Sequence, residues 1–152
     1  MHPPSHPQHW PSRPRQRGAS LIEVVIAVLI LAIGMLGVGA MQTVALRNSQ
    51  SALERSQAVM LSYSALDLLR ANPLAARIGS YNMPRSCGPL GGSTRADFER
   101  DAWLGDLTAT LGEAACGRIA CIDTRCEVEV VWDDARATGG ESEHSILTVA
   151  RL

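Results

Sequence analysis

Lysine is absent from the chain: all 14 basic side chains are arginine, set against 15 Asp plus Glu, and the formal net charge is −1. Without an excess of positive charge there is no basic field to hold nucleic acid. The missing lysine reflects the base composition of the gene and marks no site, because Arg and Lys are not interchangeable where either matters. No C-x-x-C pair occurs, which removes thioredoxin-type redox chemistry. His144 is the one histidine beyond the first 18 residues, and no Ser or Cys beside it forms a recognisable nucleophile motif, so hydrolase chemistry has no support. There is no internal repeat. A length of 152 residues excludes two large domains.

The apolar residues, 46% of the chain, are gathered unevenly. Residues 1–18 hold five prolines and Arg13, Arg15 and Arg17 with almost nothing apolar, so they cannot bury enough surface to fold and read as a leader. Val24 to Met41 then runs for 18 residues without a charge or a strongly hydrogen-bonding side chain. As a helix that run is about 27 Å long, enough to cross a bilayer. The arginines lie before it and no comparable cluster follows, which places residues 1–18 in the cytoplasm and the remainder outside. A cleaved secretory signal is the alternative. Against it, the apolar run exceeds the usual h-region of about 7–15 residues, no Ala-x-Ala-like site follows, and helix-favouring sequence continues past Met41.

From Gln42 to Ala71, Leu46, Leu53 and Met60 recur at seven-residue spacing, followed by Leu61, Ala65, Leu68 and Leu69, with Arg47, Glu54, Arg55, Gln57 and Asp67 interleaved. The pattern predicts a half-exposed helix. Pro73 ends it, because proline has no N–H to donate and disfavours helical geometry at Asn72. One helix from about Ala19 to Ala71, roughly 80 Å long, is the economical reading. Beyond it, Gly, Ser, Pro and Arg through Thr94 predict an irregular surface loop. Asp97 to Leu111 places Phe98, Trp103, Leu104, Leu107 and Leu111 at helical spacing, with Thr94 or Asp97 as cap. Ile119 to Ile122, Cys126 to Trp132 and Ser145 to Leu152 read as strands of a small antiparallel sheet. Val128, Val130 and Trp132 form its apolar face, expected to pack on the outer half of the long helix. Trp103 and Trp132 are core anchors on this reading. The fold class is α+β.

Glu23 is the most informative position, a carboxylate near the start of an otherwise apolar helix. An unpaired carboxylate costs about 2.5 kcal/mol or more near a bilayer centre, less toward its edge. Gly18-Ala19-Ser20-Leu21-Ile22-Glu23, after a basic leader and before an apolar helix, resembles the prepilin processing site of type IV pilins and pseudopilins. The resemblance implies that a prepilin peptidase cuts after Gly18, that the new amino group of Ala19 is methylated, and that Glu23 pairs with such an amino group in a filament. The position after the cut, usually Phe in that family, is Ala19. Further along, Leu46-Arg47-Asn48-Ser49-Gln50-Ser51, Arg70-Ala71-Asn72-Pro73 and Val128-Glu129-Val130-Val131-Trp132-Asp133-Asp134 resemble the PilV branch of minor pilins, the type IV pilus modification proteins.

That family implies a non-enzymatic subunit without cofactor, held in the inner membrane with a periplasmic head, then moved into a pilus for assembly, twitching motility and adhesion. Its implied partners are other minor pilins, the major pilin, a large tip adhesin, prepilin peptidase and the inner-membrane assembly platform. The expected organisation is a leader at 1–18, a transmembrane and filament-core helix at 19–41, its amphipathic continuation at 42–72 and a periplasmic head at 73–152. A type II secretion pseudopilin would share the leader motif and the helix. A pilin-like DNA receptor would need a basic strip, whereas loss of the three leader arginines leaves 11 Arg against 15 acidic side chains, a balance of −4.

Cys87, Cys116, Cys121 and Cys126 all follow the membrane helix, so in an oxidising periplasm they read as disulfides, with three pairings open. Cys121 with Cys126 across the turn at Asp123-Thr124-Arg125, and Cys87 with Cys116 anchoring the Gly-rich loop, is the favoured set. A zinc site is disfavoured because the spacing lacks paired C-x2–4-C knuckles. Asp133 and Asp134 with Asp123 could suggest calcium, but two acids at a strand end entering the loop Ala135 to Glu143 read better as a solvated turn. Gly34, Gly37 and Gly39 permit close helix packing and weaken the membrane helix.

Overall fold

The computed structural model describes residues 18–152. Of the expected leader, residues 1–17 lie outside the described residues. Helix α1 runs unbroken from Leu21 to Ala71, starting two residues later than the sequence suggested and ending where Pro73 forbids another turn. It passes through Gly34, Gly37 and Gly39 without interruption. The chain divides into two compact units, one through Ala40 and one from Met41 to Leu152.

In the first unit the described part is the N-terminal part of α1, and every described residue there is exposed. Its backbone is satisfied internally by the i→i−4 ladder, so burial in this chain is not what makes it helical.

In the second unit the rest of α1 is followed by α2 (Pro73–Arg77), β1 (Met83–Ser86), α3 (Arg95–Leu111), β2 (Cys116–Ile122), β3 (Arg125–Trp132) and β4 (His144–Arg151). The strands form one antiparallel sheet in the order β1-β2-β3-β4. Period-two alternation in β3 sends Val128, Val130 and Trp132 inward, where each is essentially fully buried. Ala58, Ala65, Leu66 and Leu69 of α1, and Trp103, Leu104, Leu107 and Leu111 of α3, close over that face. Trp103 holds the three layers together: its Nε1–H donates to the Leu61 carbonyl at 2.9 Å, and its ring lies over Gly117 of β2. A Cβ on Gly117 would sit 2.5 Å from that ring, so the packing needs glycine there. The other face of the sheet carries ion pairs, Arg118 with Glu127 and Glu129, and Arg125 with Glu127.

The expected α+β architecture is present, with three local corrections. The segment expected as an irregular loop, Pro73 through Thr94, contains α2 and β1. Pro73 is unsuited to continuing α1 but suited to the first turn of a new helix, where its missing N–H is not needed. Pro84 is tolerated in β1 because that strand is at the sheet edge. Phe98 is 64% exposed, because it lies five residues before Trp103 and so off the stripe; Ala96, two turns before Trp103, is buried in its place. Leu46, Leu53 and Met60 are likewise exposed, and α1 buries the stripe Ala58, Ser62, Ala65, Leu66 and Leu69 instead.

Candidate processing and assembly segment

Gly18, Ala19 and Ser20 precede the helix in non-helical, exposed backbone. The helix opens at Ser20, whose carbonyl accepts the N–H groups of Glu23 at 3.0 Å and Val24 at 3.2 Å. A side chain at Gly18 would meet nothing within 4 Å, so no packing within the described residues requires glycine there. Glu23 falls in the first turn of α1, where a carboxylate is favoured by the exposed N–H groups and the helix dipole. It has no ion-pair partner among the described residues. Around it Leu21, Ile22, Val24, Val25 and Ile26 are all half or more exposed. A helix of this composition, apolar on every side, is long enough to cross a membrane.

The continuation of α1 in the second unit has a buried face toward the sheet and an exposed apolar face carrying Leu46, Leu53, Met60 and Tyr63. Polar contacts fix the buried face against the sheet. Ser62 Oγ lies 2.9 Å from Thr148 Oγ1 of β4, and also donates to the Val59 carbonyl at 2.8 Å. Ser51 Oγ donates to Asp134 at 2.7 Å. Arg55 lies 2.8 Å from His144 Nε2, and Arg136 lies 3.6 Å from Glu54.

Of the solvated turn expected at Asp133 and Asp134, Asp133 is exposed and accepts from the Ala135 N–H at 2.9 Å, whereas the contact with Ser51 corrects the expectation for Asp134. Asp134 is buried, with its carboxylate on Ser51 and its backbone in the loop, where its N–H donates to the Glu141 carbonyl and its own carbonyl accepts from Ala137. Gly140 is needed to close that loop, since any side chain there would collide with the Asp134 carbonyl. The signal in the sequence was faint: a hydroxyl on α1 facing an acid 83 residues later. An open groove of about 590 Å³ runs beside these residues, lined by Asn48, Ser51, Arg55, Asp134, Gly140 and His144 among others. In it Asp134 is engaged by Ser51 and Arg55 by His144. His144 also meets the buried Trp132 ring edge-on, with centroids 4.9 Å apart.

Disulfides join Cys87 to Cys116 and Cys121 to Cys126. The first ties the segment just after β1 to the start of β2, and the second links register partners across the β2–β3 hairpin, whose turn is Asp123-Thr124. Asp123 takes a positive φ of 50°, which aspartate tolerates better than most residues, and its carboxylate accepts from Arg77. Among the described residues no three His, Cys, Asp or Glu side chains are grouped to hold a metal.

The start of α3 is a capping box, with Thr94 accepting from the Asp97 N–H and Asp97 accepting from the Thr94 N–H. The Thr94 hydroxyl and backbone N–H hold the Asp97 carboxyl below the usual carboxylate range. Glu99 is held low by the Tyr81 hydroxyl first and by Arg95 second. Burial, reinforced by Glu99, raises Tyr81. Glu143 is held low by its hydrogen bond from Arg85.

Residues 13–39 match the family described as the prokaryotic N-terminal methylation motif. No curated protein and no solved structure matches the chain. The matched segment contains Gly18, Ala19, Glu23 and the apolar helix through Gly39. It supports a type IV pilin-like protein, a structural subunit that is processed by prepilin peptidase and assembled by a type IV pilus or secretion machinery.

Proposed function

We propose that the chain is a minor pilin of a type IV pilus, in the branch of type IV pilus modification proteins, and that it takes part in starting pilus assembly. The observation that carries the reading is Glu23: a carboxylate without a partner among the described residues, four residues after the exposed Ala19, on a helix apolar all round. A charge in that setting is tolerable when it meets an opposite charge. The amino group freed by cleavage after Gly18 supplies one on a neighbouring subunit, and the pairing fixes the stagger between them. The apolar helix then serves twice, as membrane anchor before assembly and as filament core afterwards. Transfer between the two apolar surroundings needs little net change in solvation.

The exposed stripe Leu46, Leu53, Met60 and Tyr63 supports the same reading, since it continues an apolar face beyond the anchor for packing against other pilin helices. The head lies in the periplasm until assembly. A type II secretion pseudopilin is the neighbouring reading; loss of surface filaments on deletion supports the pilus, and loss of secreted enzymes supports the other machinery.

Intact-mass spectrometry of the protein from its host membranes tests the proposal. The expected mass begins at Ala19, carries one added methyl group and rises by four protons when the two disulfides are reduced. A mass from Met1 refutes processing, and a start beyond Met41 indicates a cleaved secretory signal. Glu23→Gln is expected to leave insertion and cleavage after Gly18 intact while pilus assembly falls; normal piliation removes the role of Glu23.

A further inference from the structure

The two edges of the sheet are built differently. β1 has four residues, contains Pro84 and Arg85, and slips register against β2 between Met83 and Ser86. Shortness, proline, charge and irregular register are the features that keep an edge from pairing with another strand. β4 has none of the first, second or fourth, and its single arginine stands at its last position. It pairs with β3 without a break through all eight residues from His144 to Arg151. Among the described residues no turn or loop backbone hydrogen-bonds to these eight. On the face turned away from the helices it exposes Leu147 at 55% and Val149 at 46%.

The last rung adds a charge requirement. Arg151 lies directly opposite Arg125, both exposed, and cross-strand neighbours of like charge repel. Arg125 is answered by Glu127 at 3.0 Å, while Arg151 has no ion-pair partner among the described residues. We infer that β4 is a docking edge that takes an extended segment of a different protein, laid antiparallel as a fifth strand, with apolar side chains over Leu147 and Val149 and a carboxylate at Arg151. Backbone hydrogen bonds along the edge supply affinity, and the alternate side chains supply selectivity.

A second copy is a poor occupant. Its β1 is blunted, and its β4, His144 to Arg151, carries no carboxylate to answer Arg151.

The test uses the full chain in detergent micelles and a labelled seven-residue peptide, Glu-Thr-Val-Thr-Val-Thr-Ser, with a twin in which Lys replaces Glu. The expected result is binding of the Glu peptide about tenfold tighter than its twin, from attraction in one and repulsion in the other. Arg151→Glu should reverse the preference. Leu147→Lys with Val149→Lys should abolish both, and because these side chains are exposed the head should melt as before. Equal binding or none, in protein with a normal melt, overturns the proposal. A photocrosslinker at position 149 in host membranes that gives only a species of twice the mass also overturns it, since the edge would then serve self-association. The mature mass from Ala19 is read on the same samples: its loss with peptide preference intact refutes the filament reading and leaves the edge standing.

Discussion

One helix, α1, meets two different environments along its length. From Val24 to Met41 it is apolar on all sides and every residue is exposed, whereas from Ser51 to Ala71 it alternates charges with a stripe that buries Ala58, Ser62, Ala65, Leu66 and Leu69. Among the described residues the first stretch buries no side chain, so burial does little to stabilise it. It suits an apolar solvent, where an unsatisfied peptide group is so costly that the helix is the only acceptable state. The second is stabilised by packing an amphipathic face against the sheet. Continuity of backbone therefore does not mean a common source of stability, and substitutions should separate the two stretches.

The largest separation should come from Trp103. Its side chain fills the junction of α1, α3 and β2 and satisfies its own N–H on Leu61. Trp103→Ala is expected to cost about 3–5 kcal/mol and remove the cooperative melt of the head. Membrane insertion, followed by extraction from membranes at high salt and alkaline pH, should be unchanged; release of the variant from the membrane would show that the head and the anchor share their stability.

The disulfides come next. On the chain-entropy account, opening Cys87–Cys116 costs about 3.5 kcal/mol and opening Cys121–Cys126 about 2 kcal/mol, the difference following from the lengths of the closed loops. Paired Cys→Ala variants should lower the melting temperature of the head in that order. A reversed order would mean that β1 and the loop after it contribute little to the head's cooperativity. Gly117→Ala should cost about 1–3 kcal/mol by forcing the Trp103 ring to shift, and the double variant Gly117→Ala, Trp103→Phe should recover part of that loss. Absence of recovery would place the strain elsewhere.

The same contrast explains what the sequence revealed. The fold class was legible because its signals are local: an 18-residue apolar run, an alternation in β3, and a proline at position 73. The apolar run needs no register, so the helix that carries it could be read directly. The head was less legible where identity depends on what lies opposite. Leu46, Leu53 and Met60 are periodic, yet the buried stripe begins with the small residues Ala58, Ser62 and Ala65, where β4 approaches α1 closely enough for Ser62 to meet Thr148. Asp134 looked like a loop acid and is buried, because its partner Ser51 is distant in the chain. In the segment 18–23 the motif residues could be placed by resemblance, but Glu23 finds no partner among the described residues, so its role is legible only by reference to another molecule.

The smallest expected effect is a pH dependence confined to the head. Asp97 is held low by Thr94, and Glu99 by Tyr81 and Arg95. A carboxyl held below its unfolded value adds stability that is present above the unfolded pKa, about 4, and is lost as pH falls through the folded value. The melting temperature of the head should therefore decline as pH drops below about 4, beginning at the start of α3. Asp97→Asn should flatten that decline while lowering stability at neutral pH, since the amide keeps the cap geometry in part but loses the Arg100 ion pair at 2.6 Å. If the acid decline survives unchanged in Asp97→Asn, the pH dependence belongs to Glu99 with Tyr81 and to Glu143 with Arg85, and Glu99→Gln should then reduce it.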